Sequence, residues 1–233
     1  PHALGGSPVH RPCVLTCATA LVVALAAGCS SPTPDPKVPR ASPSSHDGTS
    51  ETPEPSPSAS DTGSLGAATA DLRDMDWART AVPGDFCDVP GLISFTSGEA
   101  TVRSDTHGSV HAEQYPDSVV YGDVLGDERV EAAMLVGCDT GGQTGSGRLA
   151  WAYVVFAGEQ GRLRLVGTVS PRKYEGGHAS GFDDIVLASG RVTVEETWHR
   201  GMDPSCCPSG KAVTVWRVGA DGLLTAGEPR VTG

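Results

Sequence analysis

The residues of this 233-residue chain that could do chemistry are few and widely spaced. The densest group is acidic: Asp123-Val124-Leu125-Gly126-Asp127-Glu128-Arg129-Val130-Glu131. A calcium loop of the form D-x-D-x-D-G needs closely spaced oxygen ligands and a glycine at its sharp turn. Here Leu125 stands at a ligand place and Glu128 at the glycine place, so the stretch reads first as a solvated turn between two strands. If a cation binds, Asp123, Asp127 and Glu131 are its ligands. Four histidines, His107, His111, His178 and His199, have the side chain of a general base, but no partner for any of them is legible in the chain.

Other catalytic patterns fail on spacing. Gly177-His178-Ala179-Ser180-Gly181 lacks the G-x-S-x-G arrangement of a nucleophile elbow. Gly210-Lys211-Ala212 lacks both the upstream glycine and the Ser/Thr of a phosphate loop. The acid pairs Asp183-Asp184 and Glu195-Glu196 sit on strand-like segments, where neighbours point to opposite faces, so neither forms an acid/base dyad. No catalytic residue is assigned and no cofactor is implied.

Seven cysteines occur, and they divide by position. Cys13 and Cys17 lie in an apolar run, residues 14–29 and the step before it, which Cys29 closes. Cys87, Cys138, Cys206 and Cys207 lie in the C-terminal part. An even set in an exported protein reads as disulfides. Adjacent cysteines on an extended segment point apart, and Pro208 biases Cys207 toward extended backbone. The expectation is therefore one bond from each of Cys206 and Cys207 to Cys87 and Cys138, in an order the sequence leaves open. A zinc set is disfavoured, because the C-x-x-C spacing is missing and His199 is the only histidine near the cysteine pair.

The run 14–29 is too short for a spanning helix, which needs about 20 apolar residues. It follows Arg11-Pro12 and ends in small residues, the layout of an export signal. Its end, Leu25-Ala26-Ala27-Gly28-Cys29-Ser30, resembles the lipobox of bacterial lipoproteins, with Ala26 where a branched residue is usual. The resemblance implies that Cys29 is the lipidated N-terminus of the mature chain. It divides the sequence into a signal peptide (1–28), a lipidated Cys29 with its tether (29–70), and an extracytoplasmic domain (71–233). The tether carries proline at 32, 34, 36, 39, 43, 53, 55 and 57 among Ser, Thr, Asp and Glu. Such a composition cannot bury enough apolar surface to offset its ordering entropy, so disorder is expected, with a reach on the order of 100 Å if extended.

The formal net charge is −11, from 17 basic and 28 acidic residues, and loss of Arg11 with the leader makes the mature form more acidic still. That balance argues against nucleic acid as a partner and against adhesion to anionic lipid heads. Attachment to the bilayer would fall to the lipid on Cys29. The partners expected for the domain are an envelope protein or a small ligand.

Strand signals dominate the domain. The runs 130–138 and 149–156 are apolar at both odd and even positions, as in central strands covered on two faces. Turns at 158–161, Ser189-Gly190 and Ala220-Asp221-Gly222 join short strands, and antiparallel pairing follows. The fold class expected is mainly β: an antiparallel meander, sandwich or curled sheet with disulfides. A short amphipathic helix over 67–77, with Leu72 and Met75 on one side, is expected where the domain begins.

Several spaced landmarks agree with one family. They are Val119-Val120-Tyr121-Gly122-Asp123-x-x-Gly126-Asp127, Glu131-Ala132, Cys138, Cys206-Cys207-Pro208-Ser209-Gly210 and Val215-Trp216. Across about residues 77–226 the chain resembles secreted actinobacterial lipoproteins of the LppP/LprE type, with Gly126-Asp127-Glu128 where a G-D-G turn would stand. The resemblance implies an address and a fold and carries no activity. The functional expectation is a membrane-anchored envelope lipoprotein with a binding or structural β domain. The alternatives are a surface-anchored hydrolase using loops 105–116 and 172–184, and a calcium-binding surface domain.

Overall fold

The computed structural model describes residues 64–141 and 147–233; the leader, Cys29 and nearly all of the tether lie outside the described residues. The strands are β1 (Val82–Pro83), β2 (Leu92–Ile93), β3 (Glu99–Ser104), β4 (Gly108–Gln114), β5 (Val120–Gly122), β6 (Glu131–Asp139), β7 (Arg148–Glu159), β8 (Arg162–Val169), β9 (Gly181–Ala188), β10 (Arg191–Trp198), β11 (Gly210–Val218), β12 (Leu224–Ala226) and β13 (Arg230–Val231). Among the described residues the helical segments are single 3-10 turns. The domain is mainly β and antiparallel, as the sequence predicts.

Two sheets make the body. The first runs β3-β4-β6-β7-β8, with β5 also paired to β6; the second runs β12-β11-β10-β9, with β13 also paired to β11. The two doubly apolar runs are the central strands β6 and β7 of the first sheet. Alternate side chains serve two cores. Ala132, Met134, Val136, Cys138, Ala152, Val154 and Phe156 face the segment 65–95, whose Leu72, Trp77, Val82, Ile93 and Phe95 close over them. Ala133, Tyr153, Val155 and Ala157 face the second sheet, which supplies Ile185, Val192, Val194 and Trp216. Each fully buried side chain of the Val or Phe class contributes about 2 kcal/mol, so this double use of two strands accounts for much of the driving force.

Local chemistry sets the turns. Between β7 and β8 only Gln160 and Gly161 intervene, both at positive φ (50° and 75°), the two-residue hairpin whose twist matches its strands. Where the edges of the two sheets meet, glycine is required by close approach. A Cβ on Gly122 of β5 would lie 2.7 Å from Leu187 Cβ on β9, and one on Gly167 of β8 would lie 2.9 Å from Leu224 Cβ on β12.

Three expectations are corrected. The amphipathic helix over 67–77 is replaced by two 3-10 turns, Leu72–Asp74 and Trp77–Arg79. The Asp71 side chain accepts from Arg73 N–H, and the backbone turns extended again at Met75, so no second helical turn forms. Leu72 is buried nonetheless, and Met75 packs against the core. The stretch 105–116 is not a loop, since most of it is strand β4, paired with β3 and β6. The cysteine pairing also differs: Cys87 bonds Cys138, and Cys206 bonds Cys207. The reason is local. Residues 203–207 form a turn closed by Cys207 N–H donating to Pro204 O, so the opposite-faces argument for an extended segment does not apply.

Candidate functional site

The richest polar constellation lies on the open face of the first sheet, beyond the cover of the second. In the antiparallel pairing of β4 with β6, His111 sits directly opposite Asp139, and Glu113, two residues further along β4, shares its face. The intervening residues Val110, Ala112 and Gln114 are buried on the other side. A register shift between Cys138 and Asp139 marks a bulge against β7, the kind of irregularity that re-aims a side chain. Cys138 points into the core, disulfide-bonded to Cys87, while Asp139 turns to the cleft.

The His111 Nδ1 atom stands 3.5 Å from Glu113 Oε1 and 3.8 Å from Asp139 Oδ2. The other oxygen of each carboxylate is held elsewhere. Glu113 Oε2 accepts from the Tyr115 hydroxyl and, at 3.0 Å, from Arg148 Nη2; Asp139 Oδ1 accepts from Gly141 N–H at 2.7 Å. The Tyr115 hydrogen bond, helped by Arg148, holds the Glu113 carboxyl below its ordinary range against the opposing effect of burial. Burial and the Glu113 bond together push the Tyr115 phenol up. Arg148 lies over the Trp151 ring, 4.2 Å from its centroid, and Gly137 makes that possible. A Cβ at Gly137 would run into Arg148 Nη1 and stand 2.9 Å from the Trp151 ring. Above the three side chains is a cleft of about 370 Å³, also lined by Thr101, Ser109 and Thr140.

The acidic turn is arranged differently. Asp123, Asp127 and Glu131 do come together, with one oxygen of each within 4.8 Å of the others. Their oxygens, however, already bind the turn itself. Glu131, 1% exposed, accepts through Oε2 from Val124 N–H at 2.6 Å and Leu125 N–H at 2.9 Å. Asp123 accepts from the N–H groups of Gly126, Asp127 and Glu128. Asp127 Oδ2 takes the Arg129 guanidinium at 2.7 and 2.9 Å, which holds its carboxyl below the usual range. Burial pushes Glu131 up, and the two backbone donors oppose that rise only in part.

The remaining sequence candidates do not assemble. His107 Nε2 is 3.9 Å from Asp88 on the exposed turn before β4. His178 and His199 stack with ring centroids 4.4 Å apart, and His199 Nε2 bonds Ser205 O. Ser180 Oγ donates to Lys173 O. Lys211 pairs with Asp183 at 2.8 Å, which raises its ammonium pKa. Glu195 and Glu196 diverge: Glu196 is buried, and its Oε2 accepts from Arg172 and Lys173 N–H, pinning the 170–180 segment across the second sheet. The bonded cysteines 206 and 207 are exposed. Cys29 lies outside the described residues. A cavity of about 590 Å³ lies between residues 68–72, Val130 and the β7–β8 turn; its charged lining residues are Asp71 and Arg129.

The sequence singled out His111 and missed Glu113 and Asp139. The alternation His111-Ala112-Glu113 is a signal that places two of the three on one face. Asp139 comes to them only through the β4–β6 register. No protein-family model, no curated protein and no solved structure matches the chain.

Proposed function

We propose that the protein is a lipid-anchored bacterial envelope lipoprotein whose β-rich extracytoplasmic domain has a binding role. The observation that carries this reading is the Cys87–Cys138 disulfide. Cys87 is 3% and Cys138 0% exposed, so the bond lies within the core and joins the 3-10 turn Asp85–Cys87 to β6. A structural disulfide of this kind belongs to an oxidising compartment, which agrees with the export signal. The run ending at Cys29 and the proline-rich tether supply the means of attachment, and the acidic charge leaves the lipid to provide it.

A surface hydrolase is the second reading, favoured by His111 facing two carboxylates in a cleft. Thr101, Ser109 and Thr140 share the cleft with His111, but among the described residues no serine, threonine or cysteine side chain hydrogen-bonds to it, and binding is the preferred reading. Mass spectrometry of the mature protein from the membrane fraction tests the proposal. The expected result is a lipid adduct on Cys29 with Cys87, Cys138, Cys206 and Cys207 oxidised. A soluble chain cleaved elsewhere, or one with Cys87 and Cys138 reduced, would overturn it.

A further inference from the structure

We propose that His111 Nδ1, Glu113 Oε1 and Asp139 Oδ2 bind one divalent transition-metal ion of the zinc type. The site goes beyond the anchored-envelope reading and does not depend on it.

Distance is the first argument. Ligand atoms about 2.0–2.2 Å from a tetrahedral zinc ion stand roughly 3.3 Å from one another. The two separations to His111 Nδ1, 3.5 and 3.8 Å, need only a few tenths of an ångström of adjustment. One ligand atom from each of the three residues lies within 4.8 Å of those of the other two.

The second argument is the orientation of lone pairs. Metal-binding carboxylates and imidazoles are normally fixed by outer partners that leave one atom free to coordinate. Here Tyr115 and Arg148 hold Glu113 Oε2, and Gly141 N–H holds Asp139 Oδ1. The oxygen left to each carboxylate is the one that faces His111.

Charge and coordination then select the ion. Two carboxylates, one neutral imidazole and the adjacent Arg148, 3.7 Å from Asp139 Oδ2, leave one net negative charge. One nitrogen and two oxygens fall short of the 6–8 oxygens that calcium takes, and suit a borderline cation. Among the described residues the cleft above leaves a fourth position open to water or a ligand oxygen, the format of a zinc site that is not purely structural. The competing arrangement is a protonated His111 paired with both acids, and it binds no metal.

The test is a calorimetric titration of the untagged full-length chain, freed of metal by chelator, with Zn²⁺ at pH 7.5. One equivalent of Zn²⁺ per chain is expected, weakened at least about tenfold in His111→Ala and in Asp139→Asn. The affinity should be unchanged in the double variant Asp123→Asn/Asp127→Asn. It should fall on acidification, because protons compete with the ion for its ligands. Near-ultraviolet circular dichroism verifies each fold, and His111→Gln replaces any His111→Ala protein that does not fold. No binding of Zn²⁺ overturns the proposal. So does full affinity in the His111 variants, or an affinity lost with Asp123 and Asp127.

Discussion

The cleft on the first sheet and the acidic turn after β5 both bring three ligand-type side chains within 4.8 Å of one another, yet they are opposite kinds of structure. In the turn, carboxylate oxygens accept from backbone N–H groups of the same nine residues or from Arg129. The acids are there to hold the chain, replacing the ladder hydrogen bonds that a tight turn forgoes. In the cleft, the acids are held by others, and each keeps an oxygen directed at the imidazole. Proximity of acids is therefore a weak mark of a site. Which lone pairs remain uncommitted is the stronger one.

The comparison can be broken by measuring what each region does for stability. The largest effect belongs to the turn. Glu131→Ala leaves the N–H groups of buried Val124 and half-buried Leu125 without an acceptor, and about 3 kcal/mol of unfolding free energy should be lost. A urea denaturation curve reads this directly, and a loss below about 1 kcal/mol would mean that the carboxylate is not what holds the turn. Next comes the floor of the cleft. Gly137→Ala forces Arg148 off the Trp151 ring, at a cost of about 1–3 kcal/mol by overpacking, with a matching change in Trp fluorescence.

The smallest effect sharpens the role of Glu113. Because its folded pKa is lowered, its contribution is fully present above the ordinary value of 4.5 and is lost as pH falls through the lower folded value. The group is partly exposed, so the contribution is about 1 kcal/mol or less. Metal-free Glu113→Gln should show a flatter loss of stability below pH 4.5 than the parent chain. An unchanged acid limb would separate Glu113 from Tyr115 and Arg148.

Legibility followed how locally each feature is determined. β6 and β7 were plain because being buried on both faces leaves apolar residues at every position. β3 and β4 were not, because one face is open and reads as a mixture: Thr101, Arg103, Ser109, His111, Glu113. Their hairpin turns at 105–107, where no strong two-residue turn signal occurs. The cleft was half legible for the same reason. His111 and Glu113 follow from alternation within one strand, but Asp139 depends on a pairing between strands separated by β5 in the chain. The cysteine expectation failed on a conformational assumption, since 203–207 is a turn and not an extended run. Asp123, Asp127 and Glu131, the ligands named for a cation should one bind, do converge in the turn before β6, with Glu131 buried and not solvated. What the letters could not reveal was that their oxygens face their own backbone.

The two glycine seams have a consequence for crowding. A strand at the border of a sheet is a template for pairing with a neighbouring molecule. Gly122 and Gly167 let β9 and β12 lie so close against β5 and β8 that these borders are covered from within the same domain. Two absent methyl groups thus act as a guard against intermolecular pairing. A bulkier residue at either seam would pry open a border and offer it to a neighbouring strand.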